Sequence, residues 1–138
     1  MVISLTLPSE LKIVPETTLG IIKKIKSKNI NDDTLFNLRL ALEEALVNAI
    51  KHGNKQNKER KVIVKIAVSL NKITMEIKDE GQGFNHNKLS SPIEAKNLKK
   101  PYGRGVFLIK KLMDKVEFFD GGSRIKMVKS LTRRKEGQ

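Results

Sequence analysis

Hydrophobic positions along the chain change period several times, and each change marks an element. Val2 to Leu7 alternates, with Ile3, Leu5 and Leu7 on one face. This predicts a strand, which Pro8-Ser9 breaks. From about Pro15 to Lys28 the apolar residues Leu19, Ile22 and Ile25 take helical spacing, and Lys23, Lys24 and Lys26 form a solvated face. Asn29 to Asp33 is a turn. From Asp32 to His52 the residues Leu38, Leu42, Ala45 and Ala49 recur at three- and four-residue steps, the signature of a second, central helix. Asn31 or Asp32 can cap its start and Gly53 can end it.

After a polar loop, Lys61 to Leu70 alternates with Val62, Val64, Ile66 and Val68 on one face. Asn71-Lys72 then turns the chain into a strand marked by Ile73, Met75 and Ile77. The two predict an antiparallel hairpin with one buried face. Residues Asn85 to Tyr102 include Ser90-Ser91-Pro92 and Lys99-Lys100-Pro101 and have no sustained periodicity. A polar segment of this length inside a domain is usually functional or mobile. Gly103-Arg104-Gly105 opens a third helix with Val106, Ile109, Leu112 and Met113 inward. Strands follow at Val116–Phe119 and Ile125–Leu131, separated by Asp120-Gly121-Gly122. The order β-α-α-β-β-lid-α-β-β predicts a single α+β domain over residues 1–138: a two-layer α/β sandwich with helices on one face of a mixed, mainly antiparallel sheet.

Composition narrows the chemistry. The 138 residues include no Cys and only two His, His52 and His86, which removes thiolate-metal sites and disfavours a zinc enzyme. No apolar run is long enough to span a bilayer, and the opening segment lacks a basic leader, so a cytoplasmic protein without membrane contact is expected. The formal charge of +13 invites a nucleic-acid reading. The basic residues are spread along the chain, aromatics are scarce, and no zinc-finger, basic-zipper or RNP pattern occurs. A Lys-rich solvated surface explains most of the charge, and an acidic protein partner fits as well as nucleic acid.

Three short motifs carry candidate chemistry. Glu44 and Asn48 lie four residues apart and stack on one flank of the central helix, while Glu43 is rotated by roughly 100°. A carboxylate beside a carboxamide can accept a proton and ligate a hard cation. Taken alone, the pair is also an ordinary helix edge with two solvated polar residues. Asp79-Glu80-Gly81-Gln82-Gly83 leaves a strand; its Asp can accept from a buried donor and its glycines allow close approach, or it is a plain Gly-rich turn. Gly103-Arg104-Gly105 precedes a helix, whose free N–H groups can hold phosphate, or it is a hinge and cap. Leu108 occupies the third Gly position of a dinucleotide fingerprint, and no GxxxxGK[ST] loop is present.

The order and spacing of these motifs on the predicted elements resemble the GHKL ATPase superfamily over nearly the whole chain. Within it, Glu44-Ala45-Leu46-Val47-Asn48-Ala49-Ile50-Lys51-His52-Gly53-Asn54, Gly103-Arg104-Gly105-Val106-Phe107-Leu108-Ile109 with Met113-Asp114, and Gly121-Gly122-Ser123 are similar to the anti-sigma-factor serine-protein kinases. These have a histidine-kinase-like ATPase domain and act in bacterial partner switching. The resemblance implies ATP and Mg²⁺ as cofactors, an anti-anti-sigma protein as phosphorylated substrate, a sigma factor as second partner, and a homodimer. It implies that Glu44 is the general base for a serine hydroxyl and that Asn48 is the Mg²⁺ ligand. It places His52 near the phosphates on the same helix flank. Asp79 would accept from the adenine amino group, with Gly81 giving the base room. Gly83, Gly103 and Gly105 would border the phosphates, Arg104 would contact them, and Val106 would join the nucleotide site. Asn85 to Tyr102 would be the ATP lid. Ser123 stands where the family commonly has Thr. Two alternatives stay open: a nucleotide-binding regulatory module without kinase turnover, and a nucleic-acid-binding protein resting on charge alone.

Overall fold

A computed structural model describes residues 1–81 and 101–131, with backbone alone for 101–103. Five strands form one sheet: β1 (Val2–Pro8), β2 (Lys61–Val68), β3 (Lys72–Lys78), β4 (Lys115–Phe119) and β5 (Arg124–Ser130). Their order is β1-β2-β3-β5-β4, and every pairing is antiparallel. Three helices, α1 (Val14–Lys26), α2 (Asp32–Val47) and α3 (Pro101–Leu112), form the second layer, with α2 between the other two. The expected α+β sandwich is therefore present.

The sheet buries one face because its strands alternate. Val62, Val64, Ile66, Ile73, Met75, Ile77 and Met127 are sealed against the helices, while Lys61, Lys65, Lys72 and Lys78 stay in water. From the helices, Ile25, Leu38, Leu42, Leu46, Ile50 and Ile109 close the same core. Ile3 of the edge strand is buried too, and Leu5 and Leu7 pack against this core. The apolar face expected on β1 is thus largely covered within the chain.

The central helix starts as expected. The Asn31 side chain accepts from the Thr34 N–H at 2.8 Å, and Asp32 and Asp33 follow in the first turn. It does not continue as an α-helix to His52. It ends at Val47, and Asn48–Gly53 form a π-helical turn. The Asn54 N–H donates to the Ala49 carbonyl, five residues back, at 2.8 Å. Such wide turns cluster at functional sites. Periodicity could not disclose it, because Ala49 and Ile50 are buried in either register.

Smaller boundaries shift for local reasons. A turn at Leu11–Ile13 leads directly into α1, which begins at Val14 with Pro15 in its first turn. The hairpin turn falls on Leu70-Asn71, one residue early, because Ser69 N–H bonds to the Lys72 carbonyl at 2.9 Å. The third helix begins at Pro101, so Gly103 and Gly105 lie inside α3 instead of preceding it, and the last two residues of the expected lid are helical. Residues 85–100 of that lid, and Gly83, lie outside the described residues. Gly121 and Gly122 turn the chain between β4 and β5 with φ of 71° and 104°, a region that favours glycine.

Candidate functional site

A narrow cavity opens between the C-terminal half of α2 and the ends of β3, β4 and β5. Ala45 and Ala49 form its helix wall, and Ile77, Phe118 and Ile125 form its sheet wall. The two alanines are one helical turn apart, and their small size leaves the space. Asn48 stands at one side of this slot; Gly53, Asp79, Gly122 and Ser123 complete it. An apolar slot with a few polar groups at its margin is the usual form of a small-molecule site.

Asp79 follows the last residue of β3 and is almost fully buried. Its own N–H donates to the Ser123 carbonyl at 2.8 Å, tying β3 to the end of the β4–β5 turn. Its Oδ1 accepts from the Gly81 N–H at 2.8 Å. Burial pushes its carboxyl up to about 6, while the Gly81 hydrogen bond and the Arg60 charge pull the other way. When ionised, this carboxylate can only accept hydrogen bonds. Two glycines let the backbone pack closely around it. A Cβ at Gly53 would lie 2.2 Å from Asp79 Oδ2, and one at Gly81 would lie 2.0 Å from the Gly53 carbonyl oxygen.

Glu44 and Asn48 are brought together as the four-residue spacing requires. The Asn48 N–H donates to the Glu44 and Ala45 carbonyls, so the backbone is still α-helical at this point. Both side chains reach α3: a Cβ at Gly105 would stand 2.7 Å from Glu44 Oε2 and 3.2–3.3 Å from the Asn48 amide atoms. Gly105 therefore lets α3 approach a carboxylate and a carboxamide on α2.

The remaining candidates take different positions. His52 sits in the π-helical turn, half-buried, and burial followed by the Lys51 charge pushes its imidazole below the ordinary value of 6.5. It follows Asn48 within the same wide turn. Among the described residues it does not line the slot. Arg104 is exposed on α3, Val106 is buried in the interior, and Gly103 lies in the first turn of the helix. Ser123 is buried, and its hydroxyl donates to the Asp120 carbonyl at 3.1 Å.

Several site residues escaped the sequence reading. Gly53 was expected only to end a helix, yet it packs on Asp79. Phe118 and Ile125 read as strand residues, and only the pairing of β3 with β5 and of β5 with β4 carries them to the slot. Asn54 is completely buried. Its signal was its place at the end of the Glu44-to-Asn54 stretch, where no role was assigned to it.

Comparison with known proteins gives a consistent result. Residues 7–129 match the family described as histidine kinase-like ATPase domain. The chain is 29% identical to the serine-protein kinase RsbW of Bacillus licheniformis, covering 91% of this chain and 81% of that one. It is 25% identical to the protein of the same name from Listeria monocytogenes, covering 92% and 85%. A third, from Staphylococcus aureus strain JH9, is 31% identical over 70% of this chain and 66% of its own.

Proposed function

Because the chain belongs to the histidine kinase-like ATPase family, we propose that it is an ATP-dependent protein serine kinase and anti-sigma factor that phosphorylates an anti-anti-sigma protein in a partner-switching pathway. The observation that carries the chemistry is the meeting of Glu44, Asn48 and Gly105 beside an apolar slot that also holds Asp79.

The residues fit the nucleotide. The slot has apolar walls for a flat base, and Asp79 offers an acceptor to its amino group. Gly53, Gly81 and Gly105 mark three places where a side chain would collide with Asp79, the Gly53 carbonyl or Glu44 and displace the groups around the site. The hard oxygen of Asn48 would hold Mg²⁺. Among the described residues no group of three or more His, Asp or Glu side chains could hold an ion, so phosphate oxygens and water would complete its shell. Bound there, the ion offsets phosphate charge.

Glu44 then has the role of base. It takes the proton from a serine hydroxyl of the partner as that oxygen bonds to the terminal phosphorus. The bond to the leaving phosphate oxygen breaks, giving phosphoserine and ADP. His52, in the turn that Asn48 opens, is a candidate hydrogen-bond donor to a phosphate. Arg104, exposed on α3, is the nearby cation that can turn toward phosphate. Most of the rate would come from positioning and charge neutralisation.

The second partner is a sigma factor, bound in the alternative complex. A homodimer would form along the edge of β1, which among the described residues pairs with β2 alone. Among the described residues no helix is long and apolar enough to cross a membrane, which accords with work in the cytoplasm.

The test is transfer of labelled γ-phosphate to an acidic candidate partner. Wild type should transfer and Glu44→Ala should not, with ADP affinity retained in both. Nucleotide binding without transfer to any partner co-purified from the native cell would leave a regulatory module instead.

A further inference from the structure

Asn54 lines no part of the slot, yet it is completely buried and its side chain is fully used. Its Nδ2 donates to Ser9 Oγ at 2.8 Å and to the Lys61 carbonyl at 3.0 Å. Its Oδ1 accepts from the Glu80 N–H at 2.7 Å. The orientation of the amide is forced, because the Lys61 carbonyl can only accept and the Glu80 N–H can only donate. Ser9 passes the chain on, donating to the Arg60 carbonyl at 2.6 Å. The Lys61 N–H in turn donates to Glu80 Oε1, which closes a ring of three residues.

The ring, extended by Ser9, joins four segments at one point: the end of β1 at Ser9, the entry to β2 at Lys61, the exit of β3 at Glu80 and the π-helical turn that ends at Gly53. The residue before Asn54 is Gly53, and the residue before Glu80 is Asp79. These are the two residues whose close approach shapes the base end of the slot. The peptide units on both sides of Asp79 are therefore fixed. Its own N–H is held by the Ser123 carbonyl and the next N–H by Asn54.

We propose that Asn54, supported by Ser9, is the positioning residue for adenine recognition, setting the distance and angle between Gly53 and the Asp79 carboxylate. The inference rests on the nucleotide reading of the slot and adds the group that determines its base selectivity. The physical reason is the cost of the alternative. Without the amide, the Glu80 N–H and the Lys61 carbonyl lose the buried group that holds them in place, and the strand exit carrying Asp79 is free to shift. The phosphate end is built from Glu44 on α2, Gly105 on α3 and Asn48 at the start of the π-helical turn, the end of that turn farther from the ring.

The experiment compares ADP and GDP binding by calorimetry for wild type, Ser9→Ala and Asn54→Ala, with circular dichroism and melting temperature recorded for each. Wild type should prefer ADP. Asn54→Ala should lose ADP affinity by roughly tenfold and Ser9→Ala by about threefold, the scale of one or part of one buried hydrogen bond. The ADP-to-GDP ratio should fall by the same factors, because contacts to the phosphates are common to both ligands. A merely structural role would lower the melting temperature and leave both the affinity of the folded protein and the ratio unchanged, and that result overturns the proposal. If Asn54→Ala does not fold, Ser9→Ala decides by the same two readouts. Wild type that binds neither nucleotide overturns the reading of the slot itself, an outcome separate from unchanged selectivity in the variants.

Discussion

Gly53 and Asp79 approach so closely that a Cβ on the first would stand 2.2 Å from Oδ2 of the second. The two residues come from different layers, one from the end of the central helix and one from the end of β3. Their contact joins those layers at the mouth of the slot. Gly53→Ala should therefore cost about 1–3 kcal/mol of stability, the usual penalty of overpacking. It should also displace the Asp79 carboxylate. Denaturant titration and ADP calorimetry together check this: a variant of native stability and native ADP affinity would show that the contact is loose.

Asp79→Asn replaces one acceptor oxygen by a donor. Facing the amino group of adenine, that donor should weaken ADP binding by about 1–3 kcal/mol. Calorimetry at fixed pH measures it directly, and equal affinities would remove Asp79 from base recognition.

The same carboxyl predicts a pH dependence. Its folded value is raised from 3.8 to about 6 by burial, so the native state holds the proton more tightly than the unfolded chain does. The stability this group contributes is full below about 4 and is lost as pH rises to about 6. Melting temperatures across that window should decline less in Asp79→Asn than in wild type. Bound adenine favours the ionised form, so nucleotide should move the Asp79 carboxyl resonance to a lower midpoint in an NMR titration. A free-state midpoint near 4 would contradict the desolvation argument.

At the other end of the slot, Gly105→Ala would place a methyl group 2.7 Å from Glu44 Oε2. The carboxylate must swing away, so phosphoryl transfer should fall by about tenfold or more while ADP affinity changes little. Asn48→Ala should lose most of the Mg²⁺-dependent part of ATP affinity with an unchanged circular dichroism spectrum. Titrations with ATP in the presence and absence of Mg²⁺ separate the two effects, and an unaltered metal dependence would take Asn48 out of the metal site.

The sequence by itself determined the elements and most of their buried faces; α1 is the exception, because it buries Val14, Thr18, Ile21 and Ile25 and leaves Leu19, expected inward, exposed. Strand alternation in Val62–Val68 and Ile73–Ile77 and the helical steps of Leu38, Leu42, Ala45 and Ala49 are local patterns set by backbone geometry, and burial follows them closely. It also determined the Glu44–Asn48 pair, because one α-helical turn brings residues four apart together wherever the helix lies. What local pattern cannot carry is distance between elements. The π-helical turn at Asn48–Gly53 depends on what packs around it, since buried Ala49 and Ile50 suit either register. The approach of Gly53 to Asp79, the entry of Phe118 into the slot and the four-segment ring on Asn54 each need the strand order β3-β5-β4 or the docking of α2 on the sheet. Those are decided by tertiary packing, where residues 25 to 45 positions apart become neighbours, as Asn54 is to Glu80 at 26 and to Ser9 at 45.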